Sequence, residues 1–337
     1  MINRKISVLV LTMCLMIPST ICLATDVTEQ DVTPSSKRIF LEPQKSFLEK
    51  GSFKYLLGLS GGYDNNAHLD SQRDGDSFLQ TFFKASFITP LAEKTTGTFN
   101  YEMMSLLYSG ESDLSLIKNG INAEAKHEIN DKITVSSEMS FDSIEFLRSG
   151  SDDYLDSGLG LKAKQKLPSN FYHSLSYKML FRDYNQRAIR LTALVNSDKK
   201  RNDWRNTVEY EVGKYFEKDF LKLGFEYFNN NSNEQYLDYY DYDSYKIKTS
   251  FTHIFSEKIF SYLSFAQQMR NYRDRTLIND TGLTEWERTL LTSAAVFYNL
   301  NKSVSLGLNY TYRQNYSNEP TDRYSGSLIS LSTYWKF

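Results

Sequence analysis

The chain has 337 residues, 24% of them charged, and a formal net charge of −2 at pH 7. A weakly acidic chain lacks the basic surface that nonspecific nucleic-acid binding requires, so no nucleic-acid partner is expected. Beyond the N-terminal region no stretch of about 18 consecutive apolar residues occurs, which excludes membrane-spanning helices. Aromatic residues nevertheless make up 15% of the chain.

The first 24 residues have the three parts of a secretory signal peptide. Arg4 and Lys5 form a basic start, residues 6–17 are apolar, and Ala24 completes a cleavage site. A membrane anchor is the alternative interpretation, but an anchor needs about 20 apolar residues and this stretch is shorter. We therefore expect cleavage after Ala24 and export from the cytoplasm.

Both cysteines of the chain, Cys14 and Cys22, lie in the segment that is expected to be removed. The mature chain then has no disulfide, no cysteine metal ligand and no cysteine nucleophile. Residues 25–50 are polar, contain Pro34 and Pro43, and are interpreted as a periplasmic linker or plug segment. The folded domain is therefore expected to begin at residue 51.

From residue 51 to residue 337 the sequence alternates between apolar and polar residues. In the stretch 304–312, for example, Leu306, Leu308 and Tyr310 alternate with small or polar residues. A two-residue period predicts β-strands with one apolar face. We predict fourteen strands, each at least as long as the roughly 9–11 residues that cross a bilayer at a tilt. They lie near 53–63, 77–88, 97–109, 114–128, 132–146, 154–166, 171–184, 203–216, 219–229, 243–255, 259–271, 284–298, 303–315 and 324–337.

The connections between the predicted strands alternate in length. Short turns such as LPSN (167–170) are followed by longer polar loops such as DYNQRAIRLTALVNSDKKRND (183–203). This layout is typical of an antiparallel up-and-down transmembrane β-barrel with turns in the periplasm and long loops outside. A soluble β-sandwich is the alternative, but its strands usually run about 5–6 residues. The sequence therefore predicts an all-β fold, a fourteen-stranded membrane barrel over 51–337.

Aromatic residues gather at the ends of the predicted strands, as the interfacial belts of membrane barrels do. The belt expected near the long loops comprises Tyr63, Tyr108, Tyr154, Phe181, Tyr184, Trp204, Tyr227, Tyr272, Trp286 and Tyr312. The belt expected near the short turns comprises Phe87, Phe99, Phe171, Phe216, Phe220, Phe255, Phe260, Tyr298 and Phe337.

The last predicted strand ends in YWKF, with Leu331, Trp335 and Phe337 on one face. This ending resembles the C-terminal signal of Gram-negative outer-membrane barrels. The resemblance implies a location in the cell outer membrane, contact with outer-membrane lipid, and recognition of the strand by the barrel-assembly machinery.

Three longer segments carry a second resemblance: GLSGGYDNNAH (58–68), FEYFNNNSNEQYLDYYDYDSYKI (225–247) and LNYTYRQNYSNEPTDRYSGSLI (308–329). On these segments the chain resembles porins of exopolysaccharide operons and the barrel domain of surface lipoprotein assembly modifiers. The first likeness implies a channel with a saccharide as partner. The second implies an assembly factor with a surface lipoprotein as partner.

Alternation places most charged side chains opposite the apolar face, which suits a water-filled lumen. The candidate pore-lining residues are Lys162, Lys164, Lys178, Arg182, Arg205, Glu209, Glu211, Glu226, Lys246, Lys248, Arg270 and Arg313. The basic stretches 154–166 and 171–184 and the acidic residues of 203–216 predict a transverse field across the lumen. The alternative is that these charges pair with one another and fill a narrow interior.

The segment NNNSNEQYLDYYDYD at 229–243 is the most distinctive polar loop. Tyrosines stack on sugar rings and aspartates hold calcium through oxygen ligands, so this loop is a candidate ligand site. The candidates are Tyr236, Tyr239, Tyr240, Tyr242, Asp238, Asp241 and Asp243. The alternative is a solvated outer loop anchored by interfacial tyrosines. The spacing does not match the EF-hand pattern, so no metal or other cofactor is predicted.

The function expected from these features is porin-like passage of hydrophilic solutes, with oligosaccharide or polysaccharide as the candidate class. An outer-membrane assembly or export factor, for a surface lipoprotein or polysaccharide, is the first alternative. A plugged structural or adhesion barrel is the second. No enzyme is expected, because no Gly-x-Ser-x-Gly elbow, phosphate loop or paired metal-binding histidines occur, and His68 alone lies near the long loops.

Overall fold

The structure, a computed structural model, describes residues 51–70, 74–148, 150–192, 195–234, 236 and 240–337. The expected signal peptide (1–24) and the segment 25–50 lie outside the described residues. Among the described residues, no helix is both long enough and apolar enough to traverse a bilayer. Helical structure there consists of three single-turn 3₁₀ helices, Ser112–Leu114, Gly150–Asp152 and Pro320–Asp322.

Fourteen β-strands follow one another along the described chain, as predicted. They are β1 (Ser52–Asp64), β2 (Asp76–Ala92), β3 (Thr95–Tyr108), β4 (Leu116–Glu128), β5 (Ile133–Phe146), β6 (Tyr154–Lys166), β7 (Phe171–Arg190), β8 (Asn196–Tyr215), β9 (Asp219–Ser232), β10 (Tyr242–Ile254), β11 (Ile259–Thr276), β12 (Thr284–Asn299), β13 (Val304–Ser317) and β14 (Tyr324–Lys336). The bounds agree with the prediction to within a few residues except at β7, β8 and β11.

Each strand pairs antiparallel with its neighbour in sequence, and β14 pairs with β1 to close the barrel. The closing register places Leu57 opposite Trp335. At the end of this seam Tyr55 and Phe337 exchange two backbone hydrogen bonds, each of 3.0 Å. Closure leaves no unpaired sheet edge, which a backbone surrounded by lipid requires. The predicted all-β up-and-down barrel is confirmed.

The strands present alternate side chains to the two sides of the barrel. On β13, Leu306, Leu308 and Tyr310 are 39%, 48% and 46% exposed, whereas Ser305, Gly307 and Thr311, on the alternate positions, are buried. The exposed side chains face outward, because the buried ones lie on the face of the sheet that lines the polar interior of the barrel. The outer surface is therefore the apolar one, as lipid contact demands.

The prediction of two outward aromatic belts is partly wrong. Tyr63, Trp204 and Trp286 are exposed on the outer face, as expected. Four other members of the expected long-loop belt are instead buried on the inner face: Tyr108, Tyr154, Tyr184 and Tyr272. Tyrosine suits either side, because its ring packs while its hydroxyl hydrogen-bonds, so position at a strand end does not determine which way it faces.

The predicted long loop at 183–203 is largely a hairpin. β7 continues to Arg190 and β8 begins at Asn196, with register shifts between Asp183 and Arg190. The sequence signal failed here because this part of the hairpin is polar on both faces, and apolar alternation is expected only where one face meets lipid. The hairpin therefore extends the wall beyond the apolar band at the end of the barrel that carries the longer connections.

Placing arginine at Leu308 should destabilise the barrel by about 2–4 kcal/mol, because the side chain faces outward at mid-strand. Urea titration of barrel folded in lipid vesicles measures the change. The matched control is Asn309→Arg, which places the same side chain on the inner face and should cost less. Equal effects of the two substitutions would contradict the assigned facing of β13.

Candidate solute pathway

The inner wall consists of the side chains opposite the exposed apolar face of each strand. Along β7, for example, Tyr172, Ser174 and Arg182 are buried on this face while Leu175 and Tyr177 are exposed on the other. By the same alternation the structure places all the candidate pore-lining residues on the inner wall, at Lys162, Lys164, Lys178, Arg182, Arg205, Glu209, Glu211, Glu226, Lys246, Lys248, Arg270 and Arg313.

Acidic residues of β8 and β9 pair with lysines that lie one or two strands away. The Nζ of Lys248 lies 2.7 Å from Oε1 of Glu209 and 3.1 Å from Oε2 of Glu226. The Nζ of Lys222 lies 3.2 Å from Oε2 of Glu211. These contacts run along the wall between neighbours rather than across the lumen. The predicted transverse field is therefore not what the structure shows, because β6 and β7 lie beside β8 and not opposite it.

A second set of pairs follows β5 to β7. Arg182 donates from Nε and Nη2 to the two carboxylate oxygens of Asp156, each at 2.8 Å. Its guanidinium carbon lies 3.8 Å from the ring centroid of Tyr154, a cation–π contact. Lower on the same wall, Lys178 donates to Glu138 at 3.5 Å. A bidentate pair stacked on a ring is rigid, so Arg182 is held flat against the wall.

Arginines and tyrosines form a cluster at the long-loop end of β7 and β8, comprising Tyr184, Arg187, Arg201, Asp203 and Tyr240. Arg201 donates to both oxygens of Asp203, at 2.9 and 2.5 Å. Its guanidinium carbon lies 3.2 Å from the ring centroid of Tyr240 and 4.7 Å from that of Tyr184. Arg187 donates a hydrogen bond to the Tyr240 hydroxyl. Tyr184, Arg201 and Asp203 are buried in this arginine–tyrosine cluster, which packs basic and aromatic side chains against one another at the barrel mouth.

The pKa of the Tyr240 phenol reflects the charges in this cluster. Burial alone would raise the pKa of Tyr240, but the positive charges of Arg187 and Arg201 outweigh burial and bring the pKa below its ordinary value. The local potential in the arginine–tyrosine cluster is therefore positive despite the carboxylate of Asp203.

Three carboxylates meet at the same end of the barrel, on β12 and the β13–β14 connection. Oxygen atoms of Glu285, Glu287 and Asp322 lie within 4.8 Å of one another. Arg270 pairs with Glu287 at 2.6 Å, and Arg275 approaches Glu285 and Asp322, each at 2.6 Å. The Arg275–Glu285 contact is an ion pair without hydrogen-bond geometry. The two guanidinium groups offset most of the acidic charge and join β11, β12 and the β13–β14 connection.

The candidate ligand loop divides among different environments. Tyr242 is buried on the inner wall and accepts a hydrogen bond from Arg205 at 3.0 Å. Asp243 faces outward, where the Tyr227 hydroxyl donates to it at 2.9 Å. Asp241 accepts from the backbone nitrogen of Ser232 at 2.6 Å.

The remaining candidates of this loop are placed as follows. Tyr240 belongs to the arginine–tyrosine cluster, and Tyr236 is half-buried. Asp238 and Tyr239 lie outside the described residues. Asp241 and Asp243 thus engage separate partners, whereas Tyr240 and Tyr242 lie on the inner side of the barrel mouth.

The β1–β2 connection folds against the inner wall at the long-loop end. Asp64 and Arg313 are fully buried and form an ion pair, and the Tyr108 hydroxyl donates to Asp64 at 3.1 Å. Asn66 donates from Nδ2 to the carbonyls of Asp70, at 2.7 Å, and Ser325, at 2.9 Å. These bonds fasten the start of the connection to β3, β13 and β14.

This inward fold has a hydrophobic cause. β3 to β5 carry apolar residues on their inner face near the long-loop end, including Leu106, Leu116 and Phe146. Ala67 and Leu69 of the β1–β2 connection belong to the same buried cluster. Apolar side chains in a polar lumen gain stability when a loop removes them from water. The connection therefore narrows the passage on the β1–β5 side.

The wall formed by β12, β13, β14 and β1 is polar but largely uncharged at mid-height. The Ser60 hydroxyl donates to Ser332 at 2.7 Å, and Asn309 donates to Ser332 at 3.0 Å. Ser293 and Thr311 share a hydrogen bond of 3.1 Å. The lumen thus has a charged wall over β3 to β10 and a neutral hydroxyl and amide wall beside it.

Glycines allow large rings to lie flat on the inner wall near the short-turn end. A Cβ on Gly213 would lie 2.2 Å from the ring of Tyr172, and one on Gly307 would lie 3.0 Å from the ring of Phe297. The Tyr172 hydroxyl donates to Glu211 at 2.8 Å. Because glycine has no side chain, these rings cover the wall and leave more of the lumen cross-section free.

Three residues of the arginine–tyrosine cluster, Arg187, Arg201 and Asp203, were not among the sequence candidates. The signal for Arg201 and Asp203 is opposite charge two residues apart, which brings both side chains to one face of a strand. It was missed because residues 183–203 were interpreted as a loop. Asp64 and Asn66 were missed too, because nothing in a polar connection indicates that it turns inward.

Replacing Arg313 with Met should destabilise the barrel by about 3–5 kcal/mol, because it leaves the Asp64 carboxylate buried without its charge partner. The double variant Asp64→Asn, Arg313→Met should recover much of that loss, since the buried charge is then gone. Urea unfolding of both variants measures the difference. Equal destabilisation of the single and double variants would show that the ion pair is not what Arg313 contributes.

No protein-family model and no curated protein sequence matches the chain. Solved structures do match. The trimer form of OmpT, an outer membrane protein of Vibrio cholerae, has 9% identity and a TM-score of 0.52, covering 85% of this chain and 99% of that one. An anion-selective porin from Comamonas acidovorans has 8% identity and a TM-score of 0.52, with the same coverage. The chain shares its fold with outer-membrane β-barrels.

Proposed function

We propose that this protein is an outer-membrane channel that lets hydrophilic solutes pass, and that oligosaccharides are its solute class. In this orientation the long connections face outside and the short turns face the periplasm, as in barrels of this type. Passage is passive, driven by the solute gradient.

The observation that carries the proposal is the inner wall of a closed fourteen-stranded barrel, which is largely polar outside the apolar patch of β1 to β5. Such a barrel encloses a wider interior than one of eight strands, which side chains fill. Hydroxyl, amide and charged groups occur on the wall from one end to the other. Burying such groups costs free energy, so an interior filled only by packed side chains would not need them. The anion-selective porin among the similar structures supports the same assignment.

The presence of a charged wall beside a neutral hydroxyl and amide wall favours oligosaccharides as the solute class. Ser60, Ser332 and Asn309 offer neutral donors and acceptors that match sugar hydroxyls. Tyr240 at the mouth is half-buried and stacks with an arginine. Rings and hydroxyl-matching groups along one route suit a hydrated, ring-shaped solute better than a simple inorganic ion.

Single-channel recording in a planar bilayer tests the proposal. Purified protein should give stable conductance steps, and a linear oligosaccharide added on one side should reduce the current reversibly. Replacing residues 65–75 with a short Gly-Ser linker should raise the conductance, because the β1–β2 connection narrows the lumen. This variant is the control that the current passes through this barrel.

Absence of conductance in both the wild-type protein and the linker variant would contradict the channel. Loss of a surface polysaccharide or lipoprotein on deletion of the gene, together with that result, would favour an export or assembly role instead.

The C-terminal strand is proposed to be the contact for the barrel-assembly machinery. Leu331 and Phe337 are 68% and 74% exposed on the outer face, with Trp335 between them. Deleting Phe337 should reduce heat-modifiable barrel in the outer membrane, because both the exposed ring and the two bonds to Tyr55 are lost. Phe337→Ala keeps the backbone bonds, so a defect in this variant as well assigns the loss to the ring. Normal assembly of both variants would exclude a sorting role.

A further inference from the structure

One sector of the inner wall carries positive charge that the ion pairs do not neutralise. This lysine sector comprises Lys126 on β4 and Lys162 and Lys166 on β6, in the half of the barrel near the short turns. Lys126, Lys162 and Lys166 are exposed although they face the lumen. Within the described part of the chain, no carboxylate lies within the 4.0 Å of an ion pair from any of these three.

Lysines higher on the same wall differ in this respect. Lys118 lies 3.1 Å from Asp142, and Lys84 lies 2.7 Å from Glu102. Both are less exposed than the members of the lysine sector and lie beside their acids on adjacent strands. The lack of ion pairs around Lys162 is therefore not a general property of the wall. At this place the positive charge of the lysine side chains faces the lumen.

Most of the acidic groups that face the lysine sector are bound by lysines outside it. On the inner face of β4 to β8 in this half, the acidic residues are Glu124, Glu128, Glu138, Glu209 and Glu211. Glu209 is engaged by Lys248 at 2.7 Å. Glu138 is engaged by Lys178 at 3.5 Å. Glu211 on β8 interacts electrostatically with Lys162, but it is already held by Lys222.

The strand register surrounds these ammonium groups with hydroxyls. Ser136 on β5 lies opposite both Lys126 and Lys162, so the two lysines flank it from either side. Ser176 lies opposite Lys162 on the other side. Adjacent strands are about 4.8 Å apart, so Lys126 and Lys162 are spaced by roughly two strands, about 10 Å. Lysine ammonium groups alternate with neutral hydroxyl groups across this span.

We infer that the lysine sector makes the channel anion-selective and binds sugars that carry a carboxylate. This inference rests on the proposed channel function and names its substrate class. An ammonium offers three donors to a carboxylate, and the serine hydroxyls match the remaining sugar oxygens. In a confined lumen with low-dielectric walls the unpaired charge acts on passing ions more strongly than at an open surface. Lys162, which lies at the centre of the sector, is the specificity-determining residue.

Reversal-potential measurements in a potassium chloride gradient test the selectivity. The wild-type barrel should favour chloride over potassium, and the double variant Lys126→Gln, Lys162→Gln should bring the permeability ratio to near unity. Lys302→Gln is the matched control, since it removes the same charge at the same end but in the β13-preceding turn, and it should leave the ratio unchanged. Lys162→Arg should retain the wild-type preference.

Current block by glucuronate and by glucose tests the solute class on the wild-type protein alone. Glucuronate should block at lower concentration than glucose, and the double glutamine variant should lose that difference while its block by glucose stays unchanged. Equal block by the two sugars, or a wild-type preference for potassium, would overturn the inference while leaving the channel itself intact. A wild-type protein without conductance would instead remove the proposed function.

Discussion

Closure of the sheet between β1 and β14 is the constraint on which the rest of this structure depends. In lipid a backbone polar group has no water to bond, so each strand needs a partner on both sides. The seam provides it through a register that runs from Leu56 to Asp64 and through the paired bonds of Tyr55 and Phe337. Once the sheet is closed, one face of every strand must be apolar and the other is free to be polar.

That freedom is used in different ways around the inner wall. Over β3 to β10 the inner wall carries charged side chains, and most of them pair with an opposite charge on a nearby strand. Lateral pairing follows from geometry, because side chains at paired positions on adjacent strands lie about 4.5–5.5 Å apart, whereas the far wall is much more distant. At mid-height over β12 to β1 the wall uses hydroxyls and amides instead. The exposed lysines of β4 and β6 are the departure from this rule, and departures from local satisfaction are where function is expected.

The long-loop end is built differently from the short-turn end. There, arginines stack on tyrosines, carboxylates are shared between guanidinium groups, and the β1–β2 connection lies inside the mouth. Asp64 and Arg313 are buried to the same degree as core residues of a soluble protein. The long-loop end is therefore fixed by buried polar contacts, whereas the short-turn end carries exposed lysines on its inner wall.

The sequence by itself determined the fold to a large extent. Alternation over each strand, the even number of strands and the unequal connections together specify a closed barrel, because these patterns reflect contact with lipid and backbone hydrogen bonding, which act locally. The inner or outer facing of Leu308 and Arg313 also follows from the two-residue period. Where that period is weak, as in the polar hairpin from 183 to 203, the boundaries were missed.

Only the tertiary structure decided which charges meet. Neighbour relations around a barrel depend on register across strands that are far apart in sequence, and the sequence does not display them. It therefore took the structure to show that Glu209 and Glu226 share Lys248, that Asp64 joins Arg313 across 249 residues, and that Lys162 is left facing the lumen. The inward fold of the β1–β2 connection depends on the apolar inner patch beneath it, which forms only when β3 to β5 are assembled.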